Sequence, residues 1–230
     1  KGNIENTGTI TLDAKKTVGI YTPKSNISKV GNIIMTNNAD SSVGVYLTQE
    51  AKADGTGSVI DLNSNSQNQV AYYIKGDGTI LNSIGNIKGY GVGVYLDGTD
   101  STGMALTNPV QLNAPELDFV SGSSTKGKGI IGLLLKGNTE IKDYIAGIKV
   151  GDTVPKTKTD AAKYAIGIYA NKQGIPGTSG TPYNITTPIQ AGANGVGIYA
   201  DNDSNITYTG NMEVGNGTTA GTGIFITKKI

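Results

Sequence analysis

Short runs of alternating aliphatic residues recur along the chain, each built around one small residue. TVGIYT (17–22), SVGVYL (42–47), GVGVYL (91–96), AIGIYANK (165–172) and GVGIYADN (195–202) are near copies of one another. QVAYYI (69–74), GIIGLLL (129–135), IAGIKV (145–150) and GTGIFI (221–226) are looser copies. With the small residue as anchor, the copies sit at Gly19, Gly44, Ala71, Gly93, Gly132, Gly147, Gly167, Gly197 and Gly223. They average about 25 residues apart, a spacing that marks solenoids and similar arrays. The residues just before, one after and three after each anchor are mostly aliphatic, as in Val43, Val45 and Leu47. This period of two predicts a strand with those positions on one buried face.

A weaker strand pattern lies upstream of most copies. Examples are GTITL (8–12), GNIIMT (31–36), GSVIDL (57–62), GTILNSIGNI (78–87), YNITTPIQ (183–190) and NITYTGNMEV (205–214). Asn, Asp, Ser and Gly clusters separate these runs, and such residues tolerate turns and positive φ. Each repeat is therefore two or three short strands. One unit cannot bury its apolar face alone, whereas stacked units can. The architecture this predicts is all-β: a right-handed parallel β-helix, or β-solenoid, of about nine coils. Strand spacing would make it a rod of roughly 40 Å. A β-sandwich would instead show hairpin turns every 8–12 residues without a recurring phrase.

Two residues past the anchors come Tyr21, Tyr46, Tyr73, Tyr95, Leu134, Lys149, Tyr169, Tyr199 and Phe225. Stacking would turn the seven aromatic members into a ladder of rings. The alternation puts the anchor glycine on the same outward face, where a neighbouring ring would cover its bare backbone.

Composition narrows the chemistry. Gly makes up 34 of 230 residues, Phe only 2, and Trp is absent, which favours many turns over an aromatic-rich compact core. The formal net charge is +1, so no one-signed field points to nucleic acid or to a membrane surface. No run is long and apolar enough for a membrane-spanning helix, and no leader peptide opens the sequence, which reads as one segment, 1–230, of a longer exported chain. It contains no His or Cys, and all of its basic residues are Lys. Ser–His–Asp and Cys–His catalysis, disulfides and thiolate or imidazole metal sites are thereby excluded.

Asp61, Asp97 and Asp118 read as turn or solvent-face residues, since nothing pairs them as a catalytic set. The acidic turns DGTD (97–100) and DNDSN (201–205) match no calcium-loop spacing and read as Asx turns. The expectation is a protein that is not an enzyme, with no cofactor and no metal. Function is better sought in the irregular stretches 97–129, 150–164 and 171–190, because solenoid insertions leave one face as loops. Candidate binding residues there are Asp97, Asp100, Lys126, Lys128, Lys156, Lys158, Lys172 and Tyr183.

SVGVYL, GVGVYL, AIGIYANK and GVGIYADN, set among Asn/Gly-rich turns and GxIxL strands, resemble the passenger repeats of fusobacterial type V autotransporters, the RadD-like adhesin family. The resemblance runs along the whole chain as structural repeats. It implies a monomeric β-helical stalk on the bacterial surface, held at the outer membrane by a barrel that this segment lacks. It also implies binding to a host-cell receptor or glycan, or to partner bacteria. No binding residue carries over, since only repeat positions match. A spacer within a giant surface protein and a carbohydrate-active, tailspike-like β-helix are the alternatives.

Overall fold

A computed structural model of the chain describes residues 2–62, 68–114, 116–119, 130–142, 147–153, 164–173, 183–201 and 204–227. Every regular element in these residues is a strand, and the strands pair in parallel. The longest sheet has eight strands: β3 (Val18–Pro23), β6 (Val43–Thr48), β9 (Val70–Lys75), β12 (Gly91–Gly98), β15 (Ile130–Gly137), β18 (Ile166–Gln173), β21 (Val196–Asp201) and β24 (Thr222–Ile226). A second face begins with β2 (Thr9–Leu12), β5 (Asn32–Met35), β8 (Val59–Asp61) and β11 (Asn86–Lys88). It continues as β14 (Glu116–Phe119), β17 (Gly147–Val150), β20 (Ile189–Ala191) and β23 (Met212–Val214). The third face carries β1 (Asn3–Glu5), β4 (Asn26–Lys29), β7 (Lys52–Asp54), β10 (Ile80–Ser83), β13 (Val110–Leu112) and β16 (Thr139–Ile141), then β19 (Tyr183–Ile185) and β22 (Ile206–Tyr208).

Strand order thus advances by three around the molecule, one strand per face per coil. The result is a β-solenoid whose eight rungs on the longest face are separated by seven turns, against the nine coils expected from the phrase count. The surplus copy is the one at Gly147. It lies in β17 on the second face, where Lys149 pairs with Asp118 and Gln190 and stands outside the ring column. Ile148 and Val150 are buried there, so a strand of another face can show the same alternation around a glycine. The weaker runs also divide: GTILNSIGNI holds β10 and β11, and YNITTPIQ holds β19 and β20.

The interior is built of aliphatic columns. On the longest face Val45, Tyr72, Val94, Leu133, Ile168 and Ile198 form one, and Leu47, Ile74, Leu96, Leu135, Ala170 and Ala200 another. Ile33, Ile60 and Ile87 meet them from the second face, and Ile27, Ala53, Leu81, Leu112 and Ile141 from the third. Most of these side chains are fully enclosed, and each large one contributes about 1.5–3 kcal/mol of burial. Tyr72 is the one large polar side chain in the first column, and its hydroxyl is matched by Ser58 at 3.0 Å.

The anchors face this interior, which corrects the outward orientation read from the alternation. A Cβ on Gly19 would lie 2.7 Å from the carbonyl oxygen of Gly44. The same 2.7 Å separates a Gly44 Cβ from the carbonyl of Ala71, and a Gly132 Cβ from that of Gly167. Ile60 Cγ2 and Met35 Cε, 3.3 and 3.2 Å away, close over Gly44 from the second face. Glycine therefore recurs because the chain bends inward at this point against the next rung's backbone, and not because a ring covers it. Two successive positions, the anchor and its successor, point inward. The residue before the anchor is displaced outward: Val18 is 40 % exposed, and Val43, Val70 and Val92 are half-buried rather than enclosed.

Candidate functional site

The bend gives the longest face an ordered outer surface of three columns. Val18, Val43, Val70, Val92, Ile131 and Ile166 form an aliphatic edge, which ends at the buried Val196. The rings follow, and beyond them runs a polar column of Thr48, Lys75, Asp97, Lys136, Asn171 and Asp201. Successive ring centroids lie 5.3 Å apart for Tyr21–Tyr46, 4.8 Å for Tyr46–Tyr73 and 4.7 Å for Tyr73–Tyr95. Beyond Leu134 the ladder resumes, with 5.0 Å between Tyr169 and Tyr199 and 5.2 Å between Tyr199 and Phe225. Tilts of 13° and 19° in the middle pairs and 28° between Tyr199 and Phe225 let those rings cover one another's faces, whereas Tyr21–Tyr46 and Tyr169–Tyr199 are tilted by 53° and 55°. Where the rings stack, the ladder presents edges rather than faces, a poor platform for a flat ligand except where a ring is missing.

Asp97 joins the two outer columns. It is 2 % exposed and accepts hydrogen bonds from Tyr73 Oη at 2.8 Å, Lys75 Nζ at 3.1 Å, Thr99 Oγ1 at 2.5 Å and Thr99 N at 3.2 Å. Burial by itself would raise its carboxyl. The hydrogen bonds from Thr99, Tyr73 and Lys75 and the Lys75 charge outweigh burial and hold the group below the usual carboxylate range. Burial, then the Asp97 charge, pushes the phenols of Tyr73 and Tyr95 well above their ordinary values. Tyr169 repeats the arrangement three turns further along, donating its hydroxyl to Asp201 of the next rung.

A carboxyl whose pKa is depressed by folding stabilises the fold fully above its unfolded value of about 3.9. That contribution disappears as pH falls through the lower folded value. Asp97→Asn should therefore narrow the difference between guanidinium unfolding midpoints measured at pH 6 and pH 3. An unchanged difference would show that the Asp97 hydrogen bonds do not favour the charged form.

The other sequence-predicted residues do not converge with Asp97. Asp100 sits in an exposed turn, and its carboxylate accepts bonds from Thr102 N at 2.8 Å, Thr102 Oγ1 at 2.7 Å and Met104 N at 2.9 Å. Those bonds depress its pKa and use up its oxygens locally, as an Asx turn does. Lys172 lies in β18 on the longest face and Tyr183 in β19 on the third. Lys126, Lys128, Lys156 and Lys158 lie outside the described residues. Among the described residues no three acidic side chains are grouped to hold a metal ion.

The stretches read as insertions also contain ordinary rungs. Residues 97–129 include the end of β12 and all of β13 and β14, and 171–190 include β19 and the start of β20. Within the first stretch, between β12 and β13, residues 99–105 form a small closed loop through a Thr99–Ala105 bridge. The rung at Leu134, with Lys136 two residues along the same strand, is not among the candidates named from the residues. The signal was present: Leu134 is the one non-aromatic member of the true ring column. Extra chain gathers at the same level, with 39 residues from Gly93 to Gly132 and 35 from Gly132 to Gly167, against 22 to 30 between other rungs.

No protein-family model, curated protein or solved structure matches the chain. The functional reading therefore rests on its own geometry and repeat pattern.

Proposed function

We propose that this chain is a non-catalytic segment of a bacterial cell-surface adhesin, a rigid rod of the autotransporter-passenger type that holds binding elements away from the cell. The observation that carries the reading is the contrast between uniform three-strand coils and the excess of chain on either side of one rung. A solenoid gains rigidity from nearest-neighbour stacking, and loops set on such a scaffold are where recognition concentrates. The absence of His, Cys and Arg from the sequence fits a role without acid–base or nucleophilic chemistry. The resemblance of the repeat phrase to adhesin passengers points the same way.

The purified chain, fluorescently labelled, should bind host epithelial cells or partner bacteria in a saturable manner. Replacing residues 120–129 and 154–163 by short Gly–Ser linkers should abolish binding while circular dichroism keeps its β signature. Binding unaffected by both replacements would remove the recognition role from this level of the rod. A chain that stays folded but binds no cell would favour the spacer reading, which the continuous columns also accommodate.

A further inference from the structure

We propose that the missing ring at Leu134 forms a slot that takes one aromatic side chain of an acidic peptide segment. This deepens the adhesin reading by naming what the rod recognises. In register, Leu134 pairs with Tyr95 on one side and Tyr169 on the other. The two tyrosines are thus two strand spacings apart, about 9.6 Å. Each has a ring neighbour on its far side only: Tyr95 stacks on Tyr73 at 4.7 Å, and Tyr169 meets Tyr199 at 5.0 Å with the rings tilted by 55°. Leucine ends at its Cδ atoms, short of the level where a tyrosine's outer ring edge and hydroxyl lie. The outer part of the interval therefore holds no side chain of this column. One inserted ring would stand one strand spacing from each tyrosine, the separation that the ladder already uses.

Charge selects the occupant further. Lys136, the polar-column residue of the same rung, is half-buried and has no carboxylate partner among the described residues. Its in-register neighbour Asp97 directs its carboxylate to Tyr73, Lys75 and Thr99 instead. An ammonium beside an aromatic gap, at the level where the inter-rung chain is longest, fits an aromatic residue flanked by Asp or Glu.

The test uses the whole 230-residue chain with 13C-labelled tyrosine rings, followed by NMR. The probes are acetyl-Glu-Tyr-Glu-amide, acetyl-Glu-Leu-Glu-amide and methyl β-glucuronide. The tyrosine peptide should move the Tyr95 and Tyr169 ring signals saturably, and the leucine peptide and the sugar acid should leave them in place. Leu134→Tyr, which closes the ladder, should abolish the response. Lys136→Gln should weaken it at least threefold, and this variant decides the matter alone if Leu134→Tyr does not fold. Signals that do not move, equal movement with the leucine peptide, or movement with the glucuronide in place of the peptide would each overturn the assignment. Peptide binding is read on the isolated chain, so its failure is distinguishable from a failure of cell binding.

Discussion

Replacing Gly132 with valine is expected to be among the most damaging single changes on the longest face, costing about 3 kcal/mol or more. A Cβ there would sit 2.7 Å from the Gly167 carbonyl oxygen, 3.0 Å from Ile148 Cγ2 and 3.2 Å from Val150 Cγ1. The carbonyl belongs to the backbone of the adjacent rung, so relief requires parting two strands rather than turning a side chain. Valine adds two methyl groups to that conflict. Alanine brings the same Cβ without the two methyl groups and should cost less than valine, and Ala71, fully buried in the same column, shows that a rung can adjust to one. Guanidinium titration monitored at 218 nm would rank the three residues Gly, Ala, Val in falling midpoint. Equal midpoints for the glycine and valine forms would mean that the anchor does not face the next rung.

The second large effect is expected at Leu96, which is fully enclosed in the inner column between Ile74 and Leu135. Leu96→Ala should cost about 2–5 kcal/mol, the sum of lost transfer free energy and the cavity left behind. The same column is occupied by alanine at Ala170 and Ala200, also buried. The opposite exchange, Ala170→Leu, should therefore overpack the solenoid by about 1–3 kcal/mol. In a stack where each coil contacts only its neighbours, both losses would appear first as opening of the rungs around the substitution. Hydrogen exchange should show weakened protection in β9, β12 and β15 for Leu96→Ala, with β21 and β24 little changed. Uniform loss of protection along the chain would contradict a nearest-neighbour stack.

Much of this architecture was legible in the residues. The phrase around Gly44, Gly93, Gly167 and Gly197 located the rungs of the longest face, and its spacing identified a solenoid before any contact was known. Which way the glycine points was not legible. A period of two assigns sides only while alternation is strict, and the inward bend at the anchor places two consecutive residues inside. The Gly147 strand misled for a related reason. Ile148 and Val150 bury as any inner pair does, and sequence carries no mark of which face a strand joins. The third-face strands at Asn3–Glu5, Asn26–Lys29 and Lys52–Asp54 are three or four residues long, too short for periodicity to register. Asp97 was visible as an acidic residue near a turn. Its contacts with Tyr73 and Lys75 join residues 24 and 22 apart, which only stacking brings together.

The central claim is that successive phrases lie one above the next at a constant rise. The chain has no cysteine, so single pairs can be introduced and spin-labelled cleanly. Tyr21 and Phe225 are 54 % and 46 % exposed at the first and last rungs, and Tyr169 lies between them in the same column. Pulsed electron–electron resonance on cysteine pairs at 21/169 and 21/225 should give about 24 Å and about 34 Å, five and seven strand spacings, within the reach of the labels. A 21/225 distance no longer than the 21/169 distance would contradict the rod.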